Sequence, residues 1–360
     1  MTTASAAPAA GAGAGAGAGE TLLELNEVVK QFPVRSERRF GHRRETVRAV
    51  DGVSLRVRRG ETVGLVGETG CGKSTLARCI TRLYDLTSGT VVFDGDDISR
   101  LSPRRLRPYR RKMQMVFQDP YGSLNPRRRV GSIIADPFAA NGIVSGAARK
   151  LRVQELMELV GLNPEHFNRF PSEFSGGQRQ RIGLARALAL QPELLVCDEP
   201  VSALDVSIQA QIINLLADLQ GKLGLTYIFI AHDLSVVQHV SDRIAVMYLG
   251  RIVEIGETEA LFRAPRHPYT QALLSAVPTP DPDLISEAGP ITLSGDVPSP
   301  IHPPAGCRFH PRCPRAQSRC RTEDPVLSAG GDGNQQHAAA CHFPISGTAS
   351  PHPTEREDPA

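Results

Sequence analysis

The sequence predicts an α/β fold: a mainly parallel sheet covered by helices on both faces and interrupted by a helical insertion. Three observations carry that expectation. The apolar run TVGLV (62–66) reads as a buried strand, a glycine-rich loop follows, and Leu76, Ile80, Leu83 and Tyr84 then recur at helical spacing. Further on, a helix is expected near 178–190, a strand at 194–197, and a long amphipathic helix where Ile208, Ile212, Leu215, Leu216 and Leu219 fall on one face. Strands at 227–230, 244–248 and 251–255 complete an alternation that implies parallel pairing. Between these halves, residues 120–174 change character. Prolines and glycines break up the pattern until Val153, Leu156, Met157 and Val160 form a helical stripe closed by Gly161.

The flanking elements follow from composition. Residues 1–20 are dominated by Ala and Gly and cannot bury enough surface to offset the entropy of ordering, so a disordered leader is expected. Short β-rich runs come next at 22–25, 47–50 and 53–57. Between the first two lies a basic loop, 33–46, with Arg35, Arg38, Arg39, Arg43 and Arg44, which reads as a solvated stretch. A strand at 90–93 turns at Asp94-Gly95, residues 103–112 are dense in Arg, and a strand at 114–117 ends at Gln118. After about residue 263 the chain is Pro-rich and holds four of its seven cysteines.

Bulk numbers exclude several classes. With 360 residues there is room for one large domain or two smaller ones, and a formal charge of +3 is too small to argue for nucleic acid. No apolar run approaches the length of a membrane span, and no basic segment followed by an apolar core opens the chain. Seven cysteines in such a chain point to a reducing cytosol, where metal ligands are commoner than disulfides.

The loop after residues 62–66 carries the chemistry. Gly67-Glu68-Thr69-Gly70-Cys71-Gly72-Lys73-Ser74-Thr75 fits G-x-x-x-x-G-K-[ST], flanked by a strand and a helix as a phosphate-binding loop requires. Backbone N–H groups and the positive end of a helix dipole would surround a phosphate. Lys73 would reach the β- and γ-phosphates and the Ser74 hydroxyl would take one Mg²⁺ position. The strand at 194–197 ends in Asp198 and Glu199, one able to hold Mg²⁺ and the other to orient and deprotonate a water. Gln118 could touch both Mg²⁺ and that water, and His232, after the run YIFIA, could donate to the γ-phosphate. Phe32 is a candidate to stack on the nucleotide base, with a plain core position as its alternative. A second anion-binding helix start, Ser175-Gly176-Gly177-Gln178, is more than one nucleotide needs in one chain, but fits two chains that each complete the other's site.

Taken together, residues 21–262 resemble the ATP-binding cassette (ABC) ATPases, with every motif in order. Residues 67–75 match Walker A, Gln118 the Q-loop, 175–178 the signature, 194–199 Walker B with its catalytic glutamate, 202–205 the D-loop and His232 the H-loop. Phe174 stands where many members have Leu before the signature serine. The stretches QMVFQDPYGSLNPR (114–127) and HPYTQALLSAVPTP (267–280), with the Cys-rich end, are similar to the ATPase subunits of oligopeptide and dipeptide importers, the second of the two paralogous types.

That resemblance implies a P-loop nucleotide-binding domain at 21–262 with antiparallel N-terminal strands and a helical part at about 120–180. It implies a C-terminal extension at 263–346 and a disordered tail at 347–360. It also implies ATP and Mg²⁺ as ligands, Mg²⁺ being held through Ser74, Gln118 and Asp198. The partners would be a paralogous ATPase forming a heterodimer, two transmembrane permease subunits and an extracytoplasmic solute-binding protein, with no nucleic acid. The location would be the cytoplasmic face of the membrane.

Cys71, Cys79 and Cys197 fall within core motifs and read as small structural residues. Cys307, Cys313, Cys320 and Cys341 could bind zinc or an iron–sulfur cluster, or remain bare thiols, and the lack of a C-x-x-C knuckle argues against a zinc ribbon. The resemblance implies a [4Fe–4S] cluster there. It leaves the solute open among peptides, nickel chelates, glutathione and other small molecules. A soluble ABC ATPase acting on DNA or ribosomes is the reading from another class. The single phosphate loop and the roughly hundred residues between Walker A and the signature argue against it.

Overall fold

The computed structural model describes residues 20–34, 45–119, 122–202, 204–277, 291–329 and 337–345. The expected leader up to residue 19, the Arg-rich loop at 35–44, Ala203 of the D-loop and the tail from 347 lie outside the described residues.

The chain opens with β1 (Thr21–Val34), β2 (Glu45–Arg58), β3 (Thr62–Val66), α1 (Lys73–Ile80), β4 (Ser88–Phe93) and β5 (Asp96–Asp97). Four of these strands make an antiparallel sheet in the order β2-β1-β4-β5. The runs at 47–50 and 53–57, read separately from the sequence, are one strand. Asp51 pairs with Val29 and Val53 with Val28, so Gly52 is the extra residue of a bulge, at a φ of 78° that glycine adopts without strain.

Next come α2 (Pro103–Lys112), β6 (Met113–Val116), α3 (Val130–Asn141), α4 (Gly146–Leu159) and α5 (Gly176–Leu188). They are followed by β7 (Leu194–Asp198), α6 (Val206–Leu223), β8 (Thr226–Ala231), α7 (Leu234–Val240), β9 (Arg243–Tyr248) and β10 (Arg251–Glu257). The C-terminal part adds α8 (Thr258–Arg263), α9 (Pro268–Ser275), α10 (Ser318–Thr322), β11 (Ser328–Ala329) and β12 (Ala338–Ala339).

The second sheet runs β11-β12-β10-β9-β3-β8-β7-β6. From β9 to β6 the pairing is parallel, and the antiparallel pairs are confined to the β10, β12 and β11 edge. Every residue of β3, β7 and β8 is buried, as strands covered on both faces must be. Register then places the working loops. Val66 pairs with Ala231, Asp198 with Ile230 and Val116 with Cys197, so the loops after β3, β6, β7 and β8 all leave the sheet at the C-terminal ends of its strands.

Two local expectations need correction. The stripe running from Leu76 to Tyr84 overran its helix: α1 stops at Ile80 and Leu83 is 49% exposed. The backbone N–H groups of Thr81 and Arg82 fold back onto the carbonyls of Ala77 and Cys79, and Arg82 takes a φ of 53°, which turns the chain away. Conversely, α3 was hidden by its own Pro137. Burial of Val130, Ile133, Ile134 and Phe138 holds that helix despite the missing N–H.

The chain after residue 263 packs onto the sheet. The Ala340 N–H donates to the Val253 carbonyl at 2.8 Å, and Phe309, 1% exposed, sits among Tyr248, Tyr269 and His267. Buried Glu254 accepts from the N–H groups of Arg266 and His267 and pairs with His337 at 2.7 Å. No helix among the described residues is long and apolar enough to cross a membrane.

Candidate active site

The phosphate loop leaves β3 at Gly67 and enters α1 at Gly72. Both glycines are required: φ is 151° at Gly67 and 112° at Gly72, and an added Cβ would meet the Met247 carbonyl oxygen at 2.1 Å or that of Ala49 at 2.1 Å. Helix α1 begins without a side-chain cap, so its first-turn N–H groups face the loop as anion donors. Lys73 is 4% exposed and lies across the loop, donating through Nζ to the Gly67 carbonyl at 2.6 Å and the Glu68 carbonyl at 3.1 Å. Cys71 is buried beside it, and that burial pushes its thiol pKa up.

The end of β7 meets this loop. Ser74 Oγ donates to Asp198 Oδ1 at 2.8 Å. Asp198 is 1% exposed; burial raises its pKa while the Ser74 hydroxyl opposes the rise. A serine hydroxyl beside a buried carboxylate is a hard-oxygen donor set that suits Mg²⁺. Glu199 stands next in the chain at φ 46°, an uncommon conformation for a non-glycine residue and one that clusters at functional sites. It is held there because its N–H donates to the Ile230 carbonyl, while its own carbonyl accepts from the Ser202 N–H and hydroxyl. Gln118 Nε2 donates to Glu199 Oε2 at 2.6 Å, and His232 Nδ1 lies 3.8 Å from the same oxygen. Residues from four strand ends therefore converge. Hydrogen bonds join Ser74 to Asp198 and Gln118 to Glu199, with His232 beyond.

Among the described residues, no hydrogen bond joins the signature segment to this cluster. Ser175 caps α5 through a reciprocal pair with Gln178, the Gln178 N–H donating to Ser175 Oγ at 3.3 Å and the Ser175 N–H to Gln178 Oε1 at 3.1 Å. Both side chains are exposed, with Gly176 and Gly177 between them. Phe32 is half-buried, edge-on to Tyr84 with 5.5 Å between ring centroids, and Lys30 Nζ sits 5.0 Å from its centroid.

Two contacts on the phosphate loop were not foreseen. The Glu68 N–H donates to Tyr269 Oη at 2.9 Å, and Arg312 Nη1 donates to Glu68 Oε2 at 2.8 Å and Oε1 at 3.1 Å. Pairing across more than two hundred residues leaves no local signal; only the HPYT string containing Tyr269 stood out.

The four C-terminal cysteines line one pocket with His267, Phe309, His310 and Phe343, and all four are free thiols. Burial pushes Cys307 up to about 11 and raises Cys313 and Cys341 as well. The donor set is thus gathered, but among the described residues no group of three or more His, Cys, Asp or Glu side chains is disposed to hold a metal ion.

A nucleotide-binding loop, an acidic strand end and a capped SGGQ helix on this sheet are the parts of a cassette ATPase, and comparison agrees. Residues 50–202 match the family model described as ABC transporter, and the chain belongs to the ATP-binding proteins of that family. Residues 253–320 match the model described as oligopeptide/dipeptide transporter, C-terminal region. The chain is 52% identical to the oligopeptide transport ATP-binding protein AppF of Bacillus subtilis, over 90% of this chain and 98% of that one. It is 53% identical to the probable peptide ABC transporter ATP-binding protein y4tS of Sinorhizobium fredii, over 90% of each. Among solved structures, the dimeric post-hydrolysis state of the ATP-binding cassette MJ0796 bound to ADP and Pi superposes with a TM-score of 0.59. It is 30% identical and covers 66% of this chain and 99% of its own.

Proposed function

We propose that this chain is the ATP-hydrolysing subunit of a peptide importer, driving uptake of oligopeptides or dipeptides through separate membrane subunits. The observation that carries the ATPase is the pairs Ser74–Asp198 and Gln118–Glu199, with His232 3.8 Å from Glu199, gathered at the C-terminal ends of the strands beside Lys73. Lys73 and the first-turn N–H groups of α1 bind the phosphates. Mg²⁺, held by Ser74, Asp198 and Gln118, would neutralise phosphate charge. Glu199 takes a proton from the attacking water, Gln118 orients Glu199, and His232 donates toward the γ-phosphate. The work is positioning and charge stabilisation. Phe32 with Tyr84 offers an aromatic surface for the base.

The exposed Ser175–Gln178 cap supports a second chain: each subunit would offer its signature to the nucleotide on the other. We infer a paralogous ATPase as that partner, two permeases docking on the helical part near 120–180, a solute-binding protein acting through them, and a peripheral location on the cytoplasmic face. Peptide transport is favoured over nickel chelates or glutathione by the names of the relatives and by the match at 253–320. Affinity purification from gently solubilised membranes tests the assembly. Two polytopic proteins and a second cassette ATPase are expected, whereas soluble nucleic-acid-bound partners alone would overturn it.

The same reading assigns Cys307, Cys313, Cys320 and Cys341 to a [4Fe–4S] cluster. The support is four free thiols on one pocket; a cluster, with one thiol per iron, needs them spread wider than a single ion does. Anaerobically purified protein should be brown and hold about four irons per chain. Colourless, iron-free protein would end the assignment.

A further inference from the structure

We propose that Arg312 is a positioning residue for the phosphate loop, a strut through which the four-cysteine segment holds Glu68 and so sets nucleotide affinity. The proposal rests on the nucleotide-site reading above and goes beyond it. Glu68 is held through its carbonyl, its N–H and its carboxylate. The carbonyl accepts from Lys73 Nζ and the Cys71 N–H, the N–H donates to Tyr269 Oη, and the carboxylate takes both contacts of Arg312 Nη1. Only the carbonyl's contacts belong to the cassette's own motif. The other two come from the chain after residue 263, and Arg312 stands immediately before Cys313, one of the four pocket thiols.

The strut is built into a packed surround. The Arg312 side chain is 9% exposed, its guanidinium lies 6.0 Å from the Tyr248 ring centroid, and Nη1 also reaches Tyr248 Oη at 3.5 Å. Tyr248, Tyr269 and Phe309 pack against one another beneath it, with centroids 4.7 to 5.4 Å apart. Among the described residues the buried Arg312 Nε has no hydrogen-bond partner, so the guanidinium is placed at some cost to stability, offset by what Nη1 holds. A charge-assisted contact on the second residue of this loop fixes the loop's backbone before nucleotide arrives.

The test uses the full-length chain and MgADP, which binds the loop without being turned over. Arg312→Ala and Glu68→Gln should each weaken MgADP by roughly tenfold, the effect of breaking a buried charge-assisted contact. The double variant should bind no more weakly than the weaker-binding single, because both remove one interaction. Arg312→Lys keeps a cation and is the fallback should Arg312→Ala fail to fold; with a different donor geometry it should recover only part of the affinity. By reciprocity of linkage, MgADP should slow amide hydrogen exchange at 307–313 in the wild type and not in Arg312→Ala. Wild-type affinity in folded Arg312→Ala or Arg312→Lys, strictly additive losses, or exchange at 307–313 indifferent to MgADP would each overturn the strut. Lys73→Ala separates the two levels. If it still binds MgADP like wild type, the nucleotide-site reading has failed rather than the strut.

Discussion

Glu199→Gln should lower ATP hydrolysis by about a hundredfold or more, within the range that one general base contributes, while ATP still binds. Glutamine keeps the volume and an acceptor oxygen for Gln118 Nε2, which donates to Glu199 at 2.6 Å, so the strand-end geometry survives. What is lost is the group that takes the proton from water. ATP would then accumulate on the protein, and with the partner subunit present the closed pair should persist. Phosphate release and light scattering in MgATP read the two effects separately. Wild-type turnover would show that Glu199 is not the base.

Lys73→Ala is expected to act one step earlier, weakening nucleotide by about a hundredfold or more, the range for losing one side of a buried charge pair. Lys73 is 4% exposed and its ammonium lies against the Gly67 and Glu68 carbonyls, so truncation removes the phosphate contact and the brace across the loop together. Titration with a fluorescent nucleotide measures it. Unchanged affinity would mean that the phosphates sit elsewhere. The two variants thus fail in different ways, one unable to bind and the other unable to let go.

The placement of the candidate site was legible in the sequence wherever a polar residue follows directly on a strand. Gly67, Asp198, Glu199 and His232 each come just after or at the end of an apolar run, and parallel pairing of β3, β7 and β8 carries them to the same end of the strands without further information. A helix start at Ser175–Gln178 was legible too, and the structure adds that the serine and glutamine close on each other as a cap. Legibility failed where tertiary burial overruled local signals. Pro137 reads as a breaker, yet four buried apolar residues hold α3 around it. Gly52 reads as a gap between strands, yet the β1 partner runs past it. Leu83 fits a helical stripe that the backbone has already left. The hold of Tyr269 and Arg312 on Glu68 had no local signature, because its two sides lie more than two hundred residues apart.

The C-terminal segment is the part whose meaning the fold changed most. From the sequence it was a Pro-rich extension holding four cysteines. In the structure β12 pairs with β10, Phe309 fills an aromatic pocket against Tyr248 and Tyr269, and Arg308 bonds to Asp51 and to the Leu249 carbonyl. Through Arg312 the same segment reaches the loop at 67–75, so the extension and the cassette pack together at the candidate nucleotide site.

The most direct test of the central claim is uptake of a radiolabelled oligopeptide into vesicles bearing the co-purified complex, with ATP supplied on the side of this subunit. Accumulation that requires ATP, and that vanishes when this chain carries Lys73→Ala, is the predicted result. ATP hydrolysis by the same vesicles with no peptide accumulation, while another small solute is taken up, would contradict the peptide assignment.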